Sequence, residues 1–241
     1  MHFDGPTVAG GLAYELSELV GAEMPTMLPT GLARLDEFAG GIEPGSMWAI
    51  SGIAGIGISS LALTIAANAA RAGDVIVCNG HLPSRAVARQ LAQLAGDGRR
   101  PRLASWFSLM PEPPDVLGDT SIERADLLVA DTWDETWHAA PWPTSRADLT
   151  RHLRWLRHLG REHNTAILLT ARTPRTPSDD VLGWIADAFE DAADVTITLS
   201  DPPDAALKSC AGWRATVRAR GTGFKFFRYV GGSRVRLTPE S

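Results

Sequence analysis

Residues 45–73 read GSMWAISGIAGIGISSLALTIAANAARAG. An apolar run at 46–51, a glycine-rich turn, and an alanine-rich run from 59 that closes on Gly73 predict strand, tight loop, helix. In that context glycines let backbone N–H groups turn inward, and the helix N-terminus adds partial positive charge, so the loop suits a phosphate. The phosphate-loop pattern is G-x-x-x-x-G-K-[S/T]. Gly52 and Gly57 have its spacing, Gly55 lies between them, and Ser59, followed by Ser60, stands where a Mg²⁺-binding hydroxyl belongs. The lysine position holds Ile58, and Ile53 and Ile56 make the loop more apolar still. The chain has two lysines, Lys208 and Lys225, so no displaced loop lysine is available. Read alone, the stretch fits a phosphate loop that has lost its cation and an ordinary glycine turn equally well.

Working outward, the same rhythm repeats. Residues 32–40 predict a short helix closed by Gly40 and Gly41. DVIVCNG (74–80) predicts a strand, SRAVARQLAQLAG (84–96) a helix, and RADLLVAD (124–131) a strand ending on Asp131. Residues 145–162 predict a helix with Ser145 as N-cap and Asp148 three residues on; Leu149, Leu153 and Leu156 form its inner stripe. TAILLTA (165–171) and ADVTITLS (193–200) predict further strands, with two or three antiparallel strands finishing the chain. Near-continuous apolar strands alternating with helices predict an α/β fold, a mostly parallel sheet covered on both faces. Upstream, residues 11–22 predict a short amphipathic helix, followed by an extended, proline-bearing linker to residue 28.

A chain of 241 residues suits one sizeable α/β domain. No apolar run is long enough to span a bilayer, and the first 20 residues lack the basic start and apolar stretch of a signal peptide, so a cytoplasmic protein is expected. Two cysteines exclude a disulfide framework, and Cys78 lies in an apolar run as a buried small hydrophobe. The net charge of −5 does not advertise nucleic-acid binding, although residues 208–236 carry eight basic side chains and no acid.

Residues 29–70, PTGLARLDEFAGGIEPGSMWAISGIAGIGISSLALTIAANAA, resemble the start of the C-terminal RecA-like motor domain of DnaB-type replicative helicases. That family has a TG-x-x-x-LD-x-x-x-GG-x-x-PG run, a strand, the phosphate loop and an alanine-rich helix. The likeness continues through HLPSRAVARQLA (81–92), LLVAD (127–131), LGREHNTAILLTAR (159–172), DAFEDAADVTITL (187–199) and VRARGTGF (217–224). It covers residues 29–237 and implies a RecA-like P-loop NTPase core at 29–241, with residues 1–28 as an N-terminal arm or linker helix. The family's N-terminal collar domain has no counterpart here, so a motor domain alone is expected.

By that resemblance the chain departs from the family at three catalytic positions. Ile58 stands for the loop lysine, His81 for the glutamate that polarises the attacking water, and Ala171 for the sensor glutamine. The phosphate loop of Gly52, Gly55, Gly57, Ser59 and Ser60 is then vestigial, able at most to hold ATP or ADP weakly. Ser59 and Asp131 remain where the family binds Mg²⁺; Asp131 alone also reads as a strand-end carboxylate. Arg218 and Arg220 stand where basic finger residues reach a neighbouring subunit's nucleotide. Arg172 and Arg175, in a loop after a strand, are the candidates for DNA contact. The Trp-rich loop at 133–143 reads as packing or a partner surface, and Arg151, Arg154, Arg157 and Arg161 as a solvated helix face.

The expectation is therefore a non-hydrolysing RecA-like protein that serves as a binding or assembly module in replication, recombination or a related DNA transaction. It would act as a homo-oligomer or with a helicase or DNA-processing partner, on single-stranded DNA and without a membrane. The alternative is an active ATP-dependent helicase with a rearranged site, in which Arg85 or Arg89 replaces the lysine and His81 acts as base.

Overall fold

A computed structural model describes residues 26–79, 84–104, 125–132, 145–174, 181–201, 213–220, 223–230 and 236–239. The stretch at 45–73 forms strand β1, Met47–Ile53, and helix α2, Ile58–Ala69, preceded by helix α1, Ala33–Ala39. There follow β2 (Val75–Asn79), α3 (Ser84–Ala95), β3 (Arg102–Ala104), β4 (Leu127–Asp131), α4 (Arg146–Glu162) and β5 (Ala166–Thr173). Then come α5 (Val181–Ala192), β6 (Val195–Ser200), β7 (Trp213–Ala219), β8 (Gly223–Val230) and β9 (Arg236–Pro239). The predicted helix at 11–22 lies outside the described residues.

Among the described residues nine strands form one sheet in the order β3-β2-β4-β5-β1-β6-β7-β8-β9. It is parallel from β3 to β6 and antiparallel from β6 to β9, as the sequence predicts. β1 sits between β5 and β6, and its partner from the next βαβ step, β2, lies beyond β5 and β4. The strand order therefore reverses at β1, and open α/β sheets bind ligands beyond the carboxyl ends of the strands at such a point.

Alternation along β1 explains why so little of it is polar. Trp48 and Ile50 pack with α2 residues such as Leu61 and Ile65 on one face. Met47 and Ala49 pack with Leu149 and Leu153 of α4 and Ile185 and Phe189 of α5 on the other. A strand buried on both faces gains roughly 1.5–3 kcal/mol per large apolar side chain from burial alone, which fixes its register. Cys78 is fully buried, and burial pushes its thiol up to about 12, so it behaves as a core residue and not as a nucleophile.

The TG-x-x-x-LD run has a structural reason. The Thr30 N–H and Oγ1 both donate to Asp36 Oδ1, at 2.9 and 2.7 Å, tying the chain before α1 to its first turn. Asn68 Nδ2 of α2 donates to the Thr30 carbonyl at 3.0 Å, and a Cβ on Gly31 would lie 2.2 Å from that asparagine side chain. In α4, Ser145 is extended at the N-cap and its Oγ accepts the Asp148 N–H at 3.1 Å. Leu149, Leu153 and Leu159 are buried and Leu156 partly so. The arginines of α4 do not share one face, however. Arg157 turns inward, with its side chain 16% exposed, and pairs with Asp194.

Candidate phosphate-loop site

The loop between β1 and α2 keeps the shape of its sequence pattern. Gly55 and Gly57 have φ of 84° and 102°, a region L side chains rarely adopt, and Gly57 is the left-handed N-cap of α2. Gly52 is required for a different reason. A Cβ there would sit 2.8 Å from the Leu199 carbonyl oxygen and 2.9 Å from Ile56 Cγ2, so β6 approaches too closely for any side chain. This glycine would persist with or without a ligand. Ser59 and Ser60 are half-buried in the first turn of α2.

Ile58 does not face the loop's mouth as a lysine would. Its side chain is 5% exposed and belongs to the core cluster shared by α2 and the sheet, as does Ile56 at 2%. The loop's isoleucines thus anchor the turn on the core, and the position that carries charge in the phosphate-loop pattern is an apolar peg.

Beside Ser59 the parallel strands contribute a polar row. Val75 and Val77 of β2, Leu127 and Val129 of β4, and Leu168 of β5 face α2. Two residues after the last apolar position on each strand come Asn79, Asp131 and Thr170, which alternation places on that same face. Register puts Asn79 opposite Asp131. Asp131 is fully buried. Its Oδ2 accepts from Asn79 Nδ2 at 2.5 Å and its Oδ1 from Thr170 Oγ1 at 2.7 Å; Ser59 and the Thr132 backbone also hydrogen-bond it. Burial pushes its carboxyl above the ordinary aspartate value, and these hydrogen bonds pull it back in part. Every named partner of Asp131 is neutral.

Thr132, the next residue, has φ of 54°, an uncommon conformation for a β-branched side chain. Its N–H donates to Thr170 Oγ1 at 2.7 Å and its own Oγ1 to the Asp131 carbonyl at 2.7 Å. Such strain costs on the order of 1–3 kcal/mol and persists where the surroundings over-determine it. An unbroken set of hydrogen bonds runs from Ser59 through Asp131 and Thr170 to Thr132.

The structure brings Ser59 and Asp131, both singled out in the sequence, together with Asn79 and Thr170, which were not. The signal was present as apolar period-two strands each ending on a small polar residue. On β5 it is Thr170 that reaches the site. Ala171 is fully buried on the opposite face, among the residues packed against α4 and α5, and at neither position does the chain hold a glutamine. Arg172 pairs in register with Gly52, so it lies beside the loop, and alternation gives it the face of Thr170. His81, Arg175 and the Trp-rich loop lie outside the described residues.

Arg218 and Arg220 lie at the other end of the strands. Arg218 pairs in register with Thr196 near the start of β6, whereas Gly52 pairs with Leu199 near its end. Arg218 is ion-paired with Glu190 at 2.7 Å, and Arg220 donates to the Asp191 carbonyl at 3.0 Å, at the C-terminus of α5. Along the sheet Arg218 lies at the level of Ala49, three residues or about 10 Å before Gly52 at ~3.3 Å per residue, and Arg220 lies further back beside Asp194. Near them Asp194 Oδ2 accepts the Met47 N–H at 3.0 Å, while Oδ1 pairs with Arg157 and lies 4.0 Å from Arg220. Arg85 and Arg89 are exposed on α3. No described helix is long and apolar enough to cross a membrane. The described residues contain no cluster of three or more His, Cys, Asp or Glu suited to a metal.

No family model matches the chain, and no curated protein does. Solved structures do match. One is the ATPase domain of G40P, with a TM-score of 0.68 and 13% identity, covering 99% of this chain and 100% of that one. At that identity the likeness speaks for the fold. With the strand order, the glycine loop after β1 and the antiparallel C-terminal strands, it gives the chain a RecA-like P-loop NTPase fold.

Proposed function

We propose that this chain is a RecA-fold protein that does not hydrolyse nucleotide and acts as a binding or assembly module in DNA replication, recombination or a related DNA transaction. The observation that carries the reading is Ile58, which fills the lysine position with a side chain packed in the core. A lysine there would make charge-assisted contacts worth roughly 1.5–3 kcal/mol each in binding, and more in the transition state, where charge moves. The glutamine-free end of β5 and His81 in place of the expected glutamate point the same way. The DNA setting rests on the resemblance of the sequence to DnaB-type helicases.

Ser59 and Asp131 are the residues that would hold Mg²⁺ beside a nucleotide. A hydroxyl next to a carboxylate suits that hard cation, which keeps several waters and takes the rest of its shell from phosphates. The ion would supply charge neutralisation at the phosphates. That retained pair also favours the competing reading, an ATPase with a rearranged site. Arg218 and Arg220, set toward the strand starts and engaged by Glu190 and the Asp191 carbonyl, fit the reading as donors to a neighbour in a homo-oligomer or in a complex with a helicase. Arg172 remains a candidate for DNA contact.

The test is ATP turnover with Mg²⁺ and single-stranded DNA. The wild type and Ile58→Lys should both stay at background, the second because the base and sensor positions are changed as well. Turnover by the wild type would overturn the reading.

A further inference from the structure

The helix that follows the Asp131 strand carries an arginine-rich face, with acids beside it, that the glycine-loop site does not use. α4 contains five arginines and two acids in a chain of net charge −5. With Arg157 turned into the Asp194 pair, Arg146, Arg151, Arg154 and Arg161 remain exposed. Positions 147, 151, 154, 158 and 161 recur at four and three residues, so Ala147, Arg151, Arg154, His158 and Arg161 form one outward stripe opposite Leu149, Leu153 and Leu159.

The charges facing this stripe are identifiable. Asp187 and Asp191 of α5 approach Arg146 at 3.5 and 4.0 Å, Asp148 pairs with Arg151 at 3.2 Å, and Glu162 approaches His158 at 3.9 Å. Arg154 and Arg161 have no ion pair among the described residues, and both are exposed. Arg146, Ala147, Thr150, Arg151 and Arg154 line an open hollow of about 530 Å³. From Arg151 to Arg161 the helix rises about 15 Å at ~1.5 Å per residue. Three arginines spread over that length can each meet a phosphate of one strand. Arginine's planar fork matches phosphate oxygens in pairs.

We infer that the outer face of α4, through Arg151, Arg154 and Arg161 with Arg146 at its rim, binds the phosphate backbone of a nucleic-acid strand without reading its sequence. The inference rests on the reading of this chain as a DNA-transaction module and adds a surface distinct from the strand-end loops.

The test uses the full chain and a fluorescein-labelled thymidine oligonucleotide, with anisotropy titrations from 50 to 200 mM salt. The triple variant Arg151→Ala/Arg154→Ala/Arg161→Ala should bind at least tenfold more weakly at low salt. Its salt dependence should fall by about 2 in the slope of log K against log salt, at ~0.7 for each phosphate no longer neutralised on a single strand. A variant with the same charge change elsewhere, Arg71→Ala/Arg99→Ala/Arg100→Ala, should keep most of the affinity. All six residues are exposed, and circular dichroism and Tm check that both variants fold. Equal weakening by both variants, an unchanged slope, or no binding by the wild type at 50 mM salt would overturn the inference. So would tighter, arginine-dependent binding of polyglutamate, which would assign the face to an acidic protein segment. ATP turnover measured on the same preparations separates the two readings. Turnover would defeat the non-hydrolysing reading and leave the α4 surface standing, while loss of arginine dependence would do the reverse.

Discussion

The two ends of the parallel sheet each hold a buried or nearly buried carboxylate, and they handle its charge in opposite ways. At the strand starts, Asp194 is 22% exposed and meets Arg157, Arg220 and the Met47 N–H, so its charge is matched within the chain. At the strand ends, Asp131 is fully buried and meets Asn79, Thr170, Ser59 and the Thr132 backbone, all of them neutral. The first arrangement is a clamp that closes β1, α4 and the end of β7 together. The second satisfies the carboxylate's hydrogen bonds and, among the described residues, leaves the net charge uncompensated, which is the condition a cation from outside would relieve. Burial alone does not tell the two carboxylates apart; the company each keeps does.

The comparison breaks first at Asp194. Asp194→Ala strands a largely buried arginine and an N–H at the head of the central strand, so it should cost on the order of 3 kcal/mol by urea denaturation. A loss below about 0.5 kcal/mol, the size of an ordinary surface change, would mean that the clamp is not a clamp.

At the other end Thr170→Val keeps the shape and removes the hydroxyl. It leaves the Thr132 N–H unpaired beside a strained backbone and takes one donor from Asp131. The expected cost is about 1–3 kcal/mol, read by the same denaturation. A neutral outcome would place the strain at Thr132 under the control of other contacts.

The smallest effect sharpens the charge argument. Asp131 has its carboxyl raised in the folded state, so folding favours its protonated form. The stability this group contributes is present below the ordinary value of 3.8 and lost as pH rises through the folded value. Asp131→Asn has no such titration. The wild type should therefore lose ground to Asp131→Asn as pH is raised from acid toward neutrality, in paired urea titrations. A difference that grows in favour of the wild type would mean that the neutral donors more than offset the burial of the charge.

How much of this the sequence revealed follows from which interactions are local. The glycine loop, the central strands, the Ser145 cap and the Leu149–Leu153 stripe are written in neighbouring residues and were legible. β3 has three residues, too few for a period to register, and α5 was hidden because VLGWIADAFEDA carries a glycine and leads straight into a strand. Asp131 was legible as a strand end, whereas Asn79 and Thr170 required knowing that β2, β4 and β5 are adjacent. The Arg157–Asp194 pair spans 37 residues and nothing local announces it, so Arg157 read as one more solvated arginine. Burial of Ile58 could be suspected from the apolar loop, but only packing against the sheet turns it into a peg.

The central claim, a retained fold without turnover, is tested most directly by ATP hydrolysis. Phosphate release is followed with Mg²⁺ and single-stranded DNA present, comparing the wild type with Asp131→Ala. The account predicts that both remain at the same background. Hydrolysis by the wild type well above background that Asp131→Ala abolishes would contradict it.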